Sequence, residues 1–277
     1  MVILADGVNS LLAKKLGLHR ELDPEDAILA VKEVVALPEE KILDRFGVSG
    51  HEGAAYEYFG LAAKGAIGSG FLYTNRDSLS IGVGATVKSL IEHKLNPNDV
   101  LEFFKSHPAV IPLIRDGEQK EYSAHLIPDG GFDKISRLAV DNVMVVGDAA
   151  GLVNASLFHE GTNLAMESGR IAGEVAVEAK QKKDFTLAAL SAYQARLFDG
   201  FVIKDLKKFR KLPKALGRNP QLFEKYPRIM EEFVGDLFTV DGEPKNKKQA
   251  RLLKQLLKQE SIFGFIKTAL AARRAIL

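Results

Sequence analysis

Cysteine is absent from this 277-residue sequence. Its absence excludes disulfide bonds, thiol redox pairs and cysteine-ligated iron–sulfur clusters. There is also no apolar run of about eighteen residues, the length that a membrane-spanning helix needs, and no leader of the secretory type at the first residues. Histidines and carboxylates do not recur at the spacing of metal ligands, so no metal site is predicted. These absences favour a cytoplasmic protein.

The composition is otherwise that of an ordinary globular protein. Hydrophobic residues make up 46% and charged residues 27%, which is enough apolar material for one large core or two small ones. The charge is unevenly distributed: residues 201–277 carry 18 basic and 8 acidic residues, a net charge of +10, whereas the preceding 200 residues carry −8. A basic region of this kind indicates an acidic partner, a membrane surface or a nucleic acid.

Periodicity and turn residues predict a mixture of helices and strands. Strands are predicted at 1–5, 27–36, 70–74, 78–84 and 142–148, and helices at 11–16, 38–46, 86–94, 98–105 and 161–180. The segment from Ile28 to about Leu126 should form an antiparallel sheet with helices on one face. Beyond Asp184 the chain reads as helical, with breaks at Pro213, Pro220, Pro227 and Gly242–Pro244.

The strongest chemical signal is Gly147-Asp148-Ala149-Ala150-Gly151, which follows a buried strand and precedes Gly161-Thr162-Asn163. A carboxylate at the end of a strand can bind sugar-like hydroxyls, and glycine permits close approach of the backbone. A helix that begins near Gly161 points its free N–H groups at an anionic group. The alternative is that Asp148 caps a turn and that Asp6-Gly7 is an ordinary turn dipeptide.

These two stretches resemble the second FAD motif of the p-hydroxybenzoate-hydroxylase-like flavoproteins. The opening Val2-Ile-Leu-Ala-Asp-Gly-Val-Asn-Ser10 resembles another motif of that superfamily, which lies beside the pyrophosphate. The resemblance implies non-covalent FAD, with Asp148 at the ribityl chain and the helix at Gly161 directed at the flavin pyrimidine. The cofactor-binding residues implied by the motifs are Asp6, Gly7, Gly147, Asp148, Ala149, Gly161, Thr162 and Asn163.

Three further stretches, 69–75, 125–131 and 157–163, resemble FixC and the electron-transfer-flavoprotein:quinone oxidoreductases, and more distantly the geranylgeranyl reductases. This resemblance implies an FAD-dependent electron-transfer oxidoreductase with no dedicated catalytic side chain. The implied partners are electron-transfer flavoprotein subunits and a ferredoxin-like subunit, with a quinone and the inner face of the membrane as further contacts, but no nucleic acid. A geranylgeranyl-reductase-like enzyme and an inactive truncated fragment are the alternative hypotheses.

The family implies an α/β fold that mixes α and β elements in four segments. Residues 1–20 should be part of a Rossmann-like FAD-binding domain and residues 136–195 its second part. Residues 21–135 should be an inserted antiparallel-sheet domain for substrate or quinone, and residues 196–277 a basic helical region.

Two features depart from the family pattern. The Gly-x-Gly-x-x-Gly turn that holds the ADP half of FAD is absent, and Gly82-Val-Gly84 lacks the third glycine. No cysteine-rich iron–sulfur segment occurs either, which favours FixC, because FixC proteins are implied to use a separate ferredoxin-like subunit.

Two polar patterns have alternative interpretations. His159 and Glu160 precede the predicted helix and are either an acid–base pair or a polar helix start. Lysines recur at three- and four-residue spacing in 204–214. They form either a solvated helix face or a docking surface for an acidic partner or an anionic bilayer.

We expect the 277-residue chain on its own to be poorly soluble and to purify without flavin. The glycine turn that would bind the ADP half of FAD is missing from it, and parallel strands would be left with uncovered edges. Absorbance of the purified chain between 350 and 500 nm, roughly the flavin range, measures this directly. A yellow monomer with stoichiometric FAD would contradict the expectation.

Overall fold

The structure, a computed structural model, describes residues 1–19, 21–154, 158–223 and 225–276. Leu157, in one of the stretches that carry the family resemblance, and Arg20 and Leu277, which end two predicted segments, lie outside the described residues. Helices and strands are both abundant, as predicted. The chain divides into two compact units, described separately below. Unit 1 comprises 1–28, 126–215 and 275–277, and unit 2 comprises 29–125 and 216–274. The basic region predicted at 196–277 is therefore divided between the two units.

Unit 1 contains a three-stranded sheet in the order β1-β8-β7. Its strands are β1 (Val2–Leu4), β7 (Ala139–Val140) and β8 (Val143–Val145). β1 pairs in parallel with β8, and β7 pairs with β8 in antiparallel fashion. β8 is shorter than the predicted strand 142–148, because Gly147 turns the chain with a φ of +58°.

Helices pack around the central strand of this sheet. They are α1 (Leu11–Lys15), α6 (Thr162–Lys182), α7 (Leu187–Asp199) and α8 (Phe201–Lys208). One face of α6 is buried at positions three and four residues apart, as its sequence predicts. Tyr193 of α7 is fully buried, and its hydroxyl donates a 2.8 Å hydrogen bond to the Val145 carbonyl, so this polar atom is satisfied within the core.

Unit 2 contains a five-stranded sheet in the order β3-β4-β5-β2-β6. Its strands are β2 (Ala27–Ala36), β3 (Ala55–Tyr58), β4 (Gly68–Thr74), β5 (Ser78–Thr86) and β6 (Glu118–Pro128). β4 and β5 form the predicted hairpin, and β3 and β6 were not predicted as strands. In β6 every residue from 118 to 126 is exposed. This edge strand begins with four polar residues, and its apolar alternation is confined to Tyr122, Ala124 and Leu126.

Short helices cover the apolar face of this sheet. They are α2 (Glu39–Phe46), α3 (Val87–Glu92), α4 (Pro97–Lys105) and α5 (Ile111–Ile114). Phe104 of α4 is buried against Gly70, where an added Cβ would lie 2.8 Å from the ring. The glycine in β4 is thus required by a close contact.

The last helices are α9 (Leu212–Gly217), α10 (Lys225–Phe238), α11 (Lys245–Gln259) and α12 (Ile262–Ile276). Pro227 was expected to break a helix but lies in the first turn of α10, where its missing N–H has no intrahelical role. Lys248 of α11 is buried, and its Nζ lies 2.7 Å from Oδ2 of Asp241 and 2.8 Å from the Thr239 carbonyl. Among the described residues, no helix is both long enough and apolar enough to cross a bilayer.

Candidate cofactor site

The parallel pairing of β1 and β8 places two of the predicted motifs side by side. Val2 is opposite Val143 and Leu4 opposite Val145, and the N–H of Val146 donates to the Leu4 carbonyl at 3.0 Å. Both strands end at the same edge of the sheet, so the turns that follow them, Asp6-Gly7 and Gly147-Asp148, are neighbours. The two motifs are far apart in sequence and meet here.

Ser10 links the two turns. Its side chain is fully buried, and Oγ lies 3.0 Å from the Gly7 carbonyl and 3.4 Å from the Ala149 carbonyl. Asp6 is exposed and has a local role, because its Oδ2 accepts a hydrogen bond from the N–H of Leu12 in α1 at 3.2 Å. The turn interpretation of Asp6 therefore has a physical basis, and the opposite carboxylate oxygen is left for other contacts.

Gly147 brings its turn against α6. With φ of +58°, it has a backbone that favours glycine, and an added Cβ would lie 3.1 Å from the Cβ of Ala165. Its N–H donates to the buried Ser168 Oγ at 3.0 Å, and that hydroxyl donates to the Ala165 carbonyl at 2.9 Å. Ser168 therefore fixes the glycine turn on the first two turns of α6.

The first turn of α6 is open to solvent. Thr162 and Asn163 are exposed, and Gly161, the residue at the helix N-cap, supplies no side-chain cap to the first N–H groups. Asp148 is partly exposed at the end of β8. Free N–H groups can donate to an anionic ring, a carboxylate can accept from hydroxyls, and glycines let the backbone come close. These residues therefore fit the flavin that the resemblance implies.

Glu160 is held by two amide side chains. Its backbone exchanges hydrogen bonds with Asn154, and its carboxylate accepts from Nδ2 of Asn154 and Nδ2 of Asn163, both at 3.2 Å. His159 is exposed with a φ of +50°. The arrangement favours the interpretation of Glu160 as part of the helix start.

The structure thus brings all eight predicted residues into unit 1, at two neighbouring turns and the start of α6. Ser10 ends the opening motif but was not among the predicted cofactor-binding residues, and the supporting roles of Ser168 and Tyr193 were not predicted. A serine in an apolar helical stripe, as at Ser168, is the signal that could have been used, since a buried hydroxyl needs a partner. No group of three or more metal-ligating side chains occurs in the part of the chain that the structure describes.

A charged cluster lies beside the Gly147–Gly151 turn. Lys134 presents its carbonyl 3.2 Å from the Cβ position of Gly151, and its Nζ lies 2.5 Å from Oδ2 of Asp26 and 2.9 Å from Oδ2 of Asp23. Asp129 is buried next to them, and its N–H donates to the Asp26 carbonyl at 2.7 Å. Burial, followed by repulsion from Asp26, raises the pKa of Asp129 to about 7.

Two solved structures show the class of fold. The chain superimposes on a geranylgeranyl bacteriochlorophyll reductase-like protein from Thermoplasma acidophilum with a TM-score of 0.64 and 20% identity, over 94% of this chain and 62% of that one. It superimposes on the flavin-dependent brominase Bmp2 with a TM-score of 0.55 and 15% identity, over 93% and 63%. At these identities the comparison shows the fold, and it confirms the predicted α/β class.

Sequence comparison shows which proteins the chain is similar to. Residues 212–277 match the ETF-QO/FixC family C-terminal domain. The chain is 39% identical over 277 residues to the probable electron transfer flavoprotein-quinone oxidoreductase YdiS of Escherichia coli K12, covering 100% of this chain and 64% of YdiS. It is 41% identical over 276 residues to FixC of Azotobacter vinelandii, covering 99% and 64%. The resemblance is confirmed: the chain is related to FixC and the ETF-quinone oxidoreductases over its entire length, and it spans less than two thirds of theirs.

We expect Gly147→Ala to lower the free energy of unfolding by roughly 1–2 kcal/mol, the cost of left-handed backbone for a residue with a Cβ. The contact with Ala165 adds to this cost. Gly169→Ala in α6 is the matched control, because nothing lies within 4 Å of its Cβ position. It should raise stability by up to about 1 kcal/mol through helix propensity. Urea unfolding followed by circular dichroism measures both, and equal effects would contradict the described turn.

Asp129 should make the protein less stable as the pH rises. Its pKa is higher in the folded than in the unfolded protein, so the folded state retains the proton between about pH 4 and pH 7. The free energy of unfolding should fall over that window by at most roughly 4 kcal/mol. Asp129→Asn should flatten this fall and stabilise the protein at pH 8, whereas Asp133→Asn, at an exposed position, should leave it unchanged. A parallel pH profile for the Asp129 variant would contradict the assignment.

Proposed function

We propose that this chain is part of an FAD-dependent electron-transfer oxidoreductase. The supporting observation is the meeting, within unit 1, of the ends of β1 and β8 with the open first turn of α6. Flavin, when bound, supplies the chemistry of accepting and releasing electrons. The YdiS relative is named a probable electron transfer flavoprotein-quinone oxidoreductase, and the proteins of similar fold include a flavin-dependent brominase.

Each predicted residue has a proposed role toward FAD. Asp148 would accept hydrogen bonds from ribityl hydroxyls, and the N–H groups of Thr162 and Asn163 would stabilise negative charge on the pyrimidine part of the flavin. Gly147, Gly161 and Ala149 would permit the close approach of backbone. Asp6 and Gly7 would lie beside the pyrophosphate, with Asp6 already fixed by the N–H of Leu12.

The proposed reaction needs no nucleophile. Electrons would enter from an electron-transfer flavoprotein and leave to a quinone or a ferredoxin-like protein. The side chains near the site agree with this, because the Glu160 carboxylate is already engaged by Asn154 and Asn163. The protein would then act by holding the cofactor and by setting its potential through charges and N–H groups.

A second function is reduction of isoprenoid double bonds, as in a geranylgeranyl reductase. The observation in its favour is the fold similarity to the reductase-like protein from Thermoplasma acidophilum. The sequence identity of about 40% to FixC-type proteins favours electron transfer instead. Two assays separate these functions. Reduction of the bound flavin by electron-transfer flavoprotein would support electron transfer, whereas reduction of a geranylgeranyl substrate would support the second function.

Asp148→Ala in the complete protein should weaken FAD binding by roughly ten- to a hundredfold, the effect of losing a hydrogen bond to a charged group. Flavin content after gel filtration measures it. Asp199→Ala removes an exposed carboxylate at the end of α7 and should retain full flavin content. Thermal unfolding of both apoproteins tests the fold, and unchanged flavin content in the Asp148 variant would overturn the assignment of this residue.

A further inference from the structure

An exposed basic segment lies in unit 1, at the end of α8 and the start of α9. Of the eight residues from 207 to 214, five are lysine or arginine and none is acidic. All five are exposed and, among the described residues, none of them takes part in an ion pair: Lys207, Lys208, Arg210, Lys211 and Lys214. Three basic residues of unit 2 are instead paired with carboxylates within 3.0 Å: Lys225, Lys248 and Arg251. The charge of the 207–214 segment is therefore available to a partner.

The opposite side of α8 anchors this segment to unit 1. Val202, Ile203 and Leu206 are buried in the same core cluster as the buried face of α6. Lys204, at the exposed side, has a local role, because its Nζ donates to the Asp199 carbonyl. The basic segment thus has a fixed position on unit 1.

Two phenylalanines connect the basic segment with the candidate cofactor site. Phe209 packs against Phe158 with the two rings tilted by 39° and 4.4 Å between their centroids, and Nζ of Lys208 lies 5.3 Å from the Phe209 ring. Phe158 is 44% exposed and lies three residues before Gly161. Exposed aromatic side chains are enriched at protein–protein contacts, and Phe158 is joined through Phe209 to the cation of Lys208.

The loop that carries Phe158 is joined to the first turn of α6. Its ends are closed by the two backbone hydrogen bonds between Asn154 and Glu160, of 2.8 and 3.0 Å. The Glu160 carboxylate in turn accepts from Asn163, one of the residues proposed to face the flavin. A protein bound at Phe158 would therefore lie next to the cofactor.

The apolar side chains favour a protein over a bilayer at this segment. No large hydrophobic residue is exposed among the described residues between 202 and 229, whereas α10 exposes Met230, Val234 and Phe238, and α12 exposes Phe263 and Ile266. Binding of a helix to a membrane interface depends on burying apolar side chains as well as on charge. With Phe158 and Phe201 as exposed apolar side chains beside five cations that form no ion pair among the described residues, the segment carries more charge than apolar area, and this fits the acidic surface of a soluble protein.

We propose that Phe158, Lys207, Lys208, Phe209, Arg210 and Lys211 form a basic–aromatic surface that docks an acidic redox protein beside the flavin. The proposal rests on the proposed function. Lysines would pair with carboxylates of the partner at the rim, and Phe158 and Phe209 would form the centre of the contact, from which water is excluded. The partner's electron-carrying group would then be held near the first turn of α6.

The test uses the complete protein and purified electron-transfer flavoprotein from the same organism as the probe. Lys207, Lys208 and Lys211 are changed together to Gln, and the control carries Lys247→Gln, Lys254→Gln and Lys258→Gln, which removes the same charge from exposed positions of α11. The dissociation constant at low salt should rise roughly tenfold or more in the first variant, since three exposed ion pairs are lost. It should stay unchanged in the control. Added salt should raise the dissociation constant of the wild-type complex until it approaches that of the first variant.

Flavin content and binding to vesicles of phosphatidylcholine and phosphatidylglycerol are measured alongside. Equal weakening in both variants would overturn the proposal, because binding would then follow total charge. The proposal would also be overturned if the first variant bound electron-transfer flavoprotein as the wild type does, or if the wild type did not bind it. A first variant that lost binding to vesicles but kept binding to electron-transfer flavoprotein would overturn it as well. Wild-type protein without FAD would contradict the proposed function, while the docking surface is still decided by the comparison of the two variants.

Discussion

The parallel pairing of β1 with β8 is the contact on which the candidate site depends. Each strand has three residues, so the backbone hydrogen bonds between them are few and stabilise the pairing only weakly. It is reinforced by side chains that bond to the backbone at its end: Ser10 to the Gly7 and Ala149 carbonyls, Ser168 to the N–H of Gly147, and Tyr193 to the carbonyl of Val145. Each of these hydroxyls is buried, and an unpaired polar group there would cost roughly 1–3 kcal/mol. The two turns are therefore fixed by a small polar network within an apolar core.

This network also explains why the glycines cannot be exchanged freely. Gly147 has the left-handed conformation and lies against Ala165, so the turn and α6 approach more closely than side chains would allow. Gly161 leaves the first N–H groups of α6 without a side-chain cap. A capping residue would satisfy those groups locally and stabilise the helix, typically by ~1 kcal/mol. The chain forgoes that stabilisation and retains free donors at the surface.

Much of this could be predicted from the sequence where local pattern decides the structure. The strands 27–36 and 78–84, the hairpin between β4 and β5, and the long helix α6 all follow from periodicity and turn residues. The two predicted motifs were found through their resemblance to flavoprotein motifs, because glycine and aspartate after a strand are also common in ordinary turns. The role of Pro227 was misjudged, since a proline in the first turn of a helix and a proline between helices look alike in sequence.

The remaining features depend on contacts between distant residues. β6 begins with four polar residues and is exposed from 118 to 126, so the short alternation at 122–126 does not mark a buried strand face. Two contacts join segments that no local pattern relates. They are the cluster of Asp26, Asp129 and Lys134, and the packing of Phe158 on Phe209. The sequence could predict a helix face for the lysines at 204–214. Only the structure shows that, among the described residues, they form no ion pairs and lie near the predicted motifs.

The separation of β1 from β8 along the chain sets an order of events during synthesis. Val2 leaves the ribosome long before Val143, its partner in the sheet. The hairpin of β4 and β5 pairs neighbours and can form while β1 is still without its partner, because closing a short loop costs less entropy than closing a long one. The sheet of unit 2 is thus expected to assemble first, and the first strand of unit 1 has to remain available until residue 145 has emerged. Chains of this kind depend on such a strand staying free of other contacts while the segment between the two strands folds.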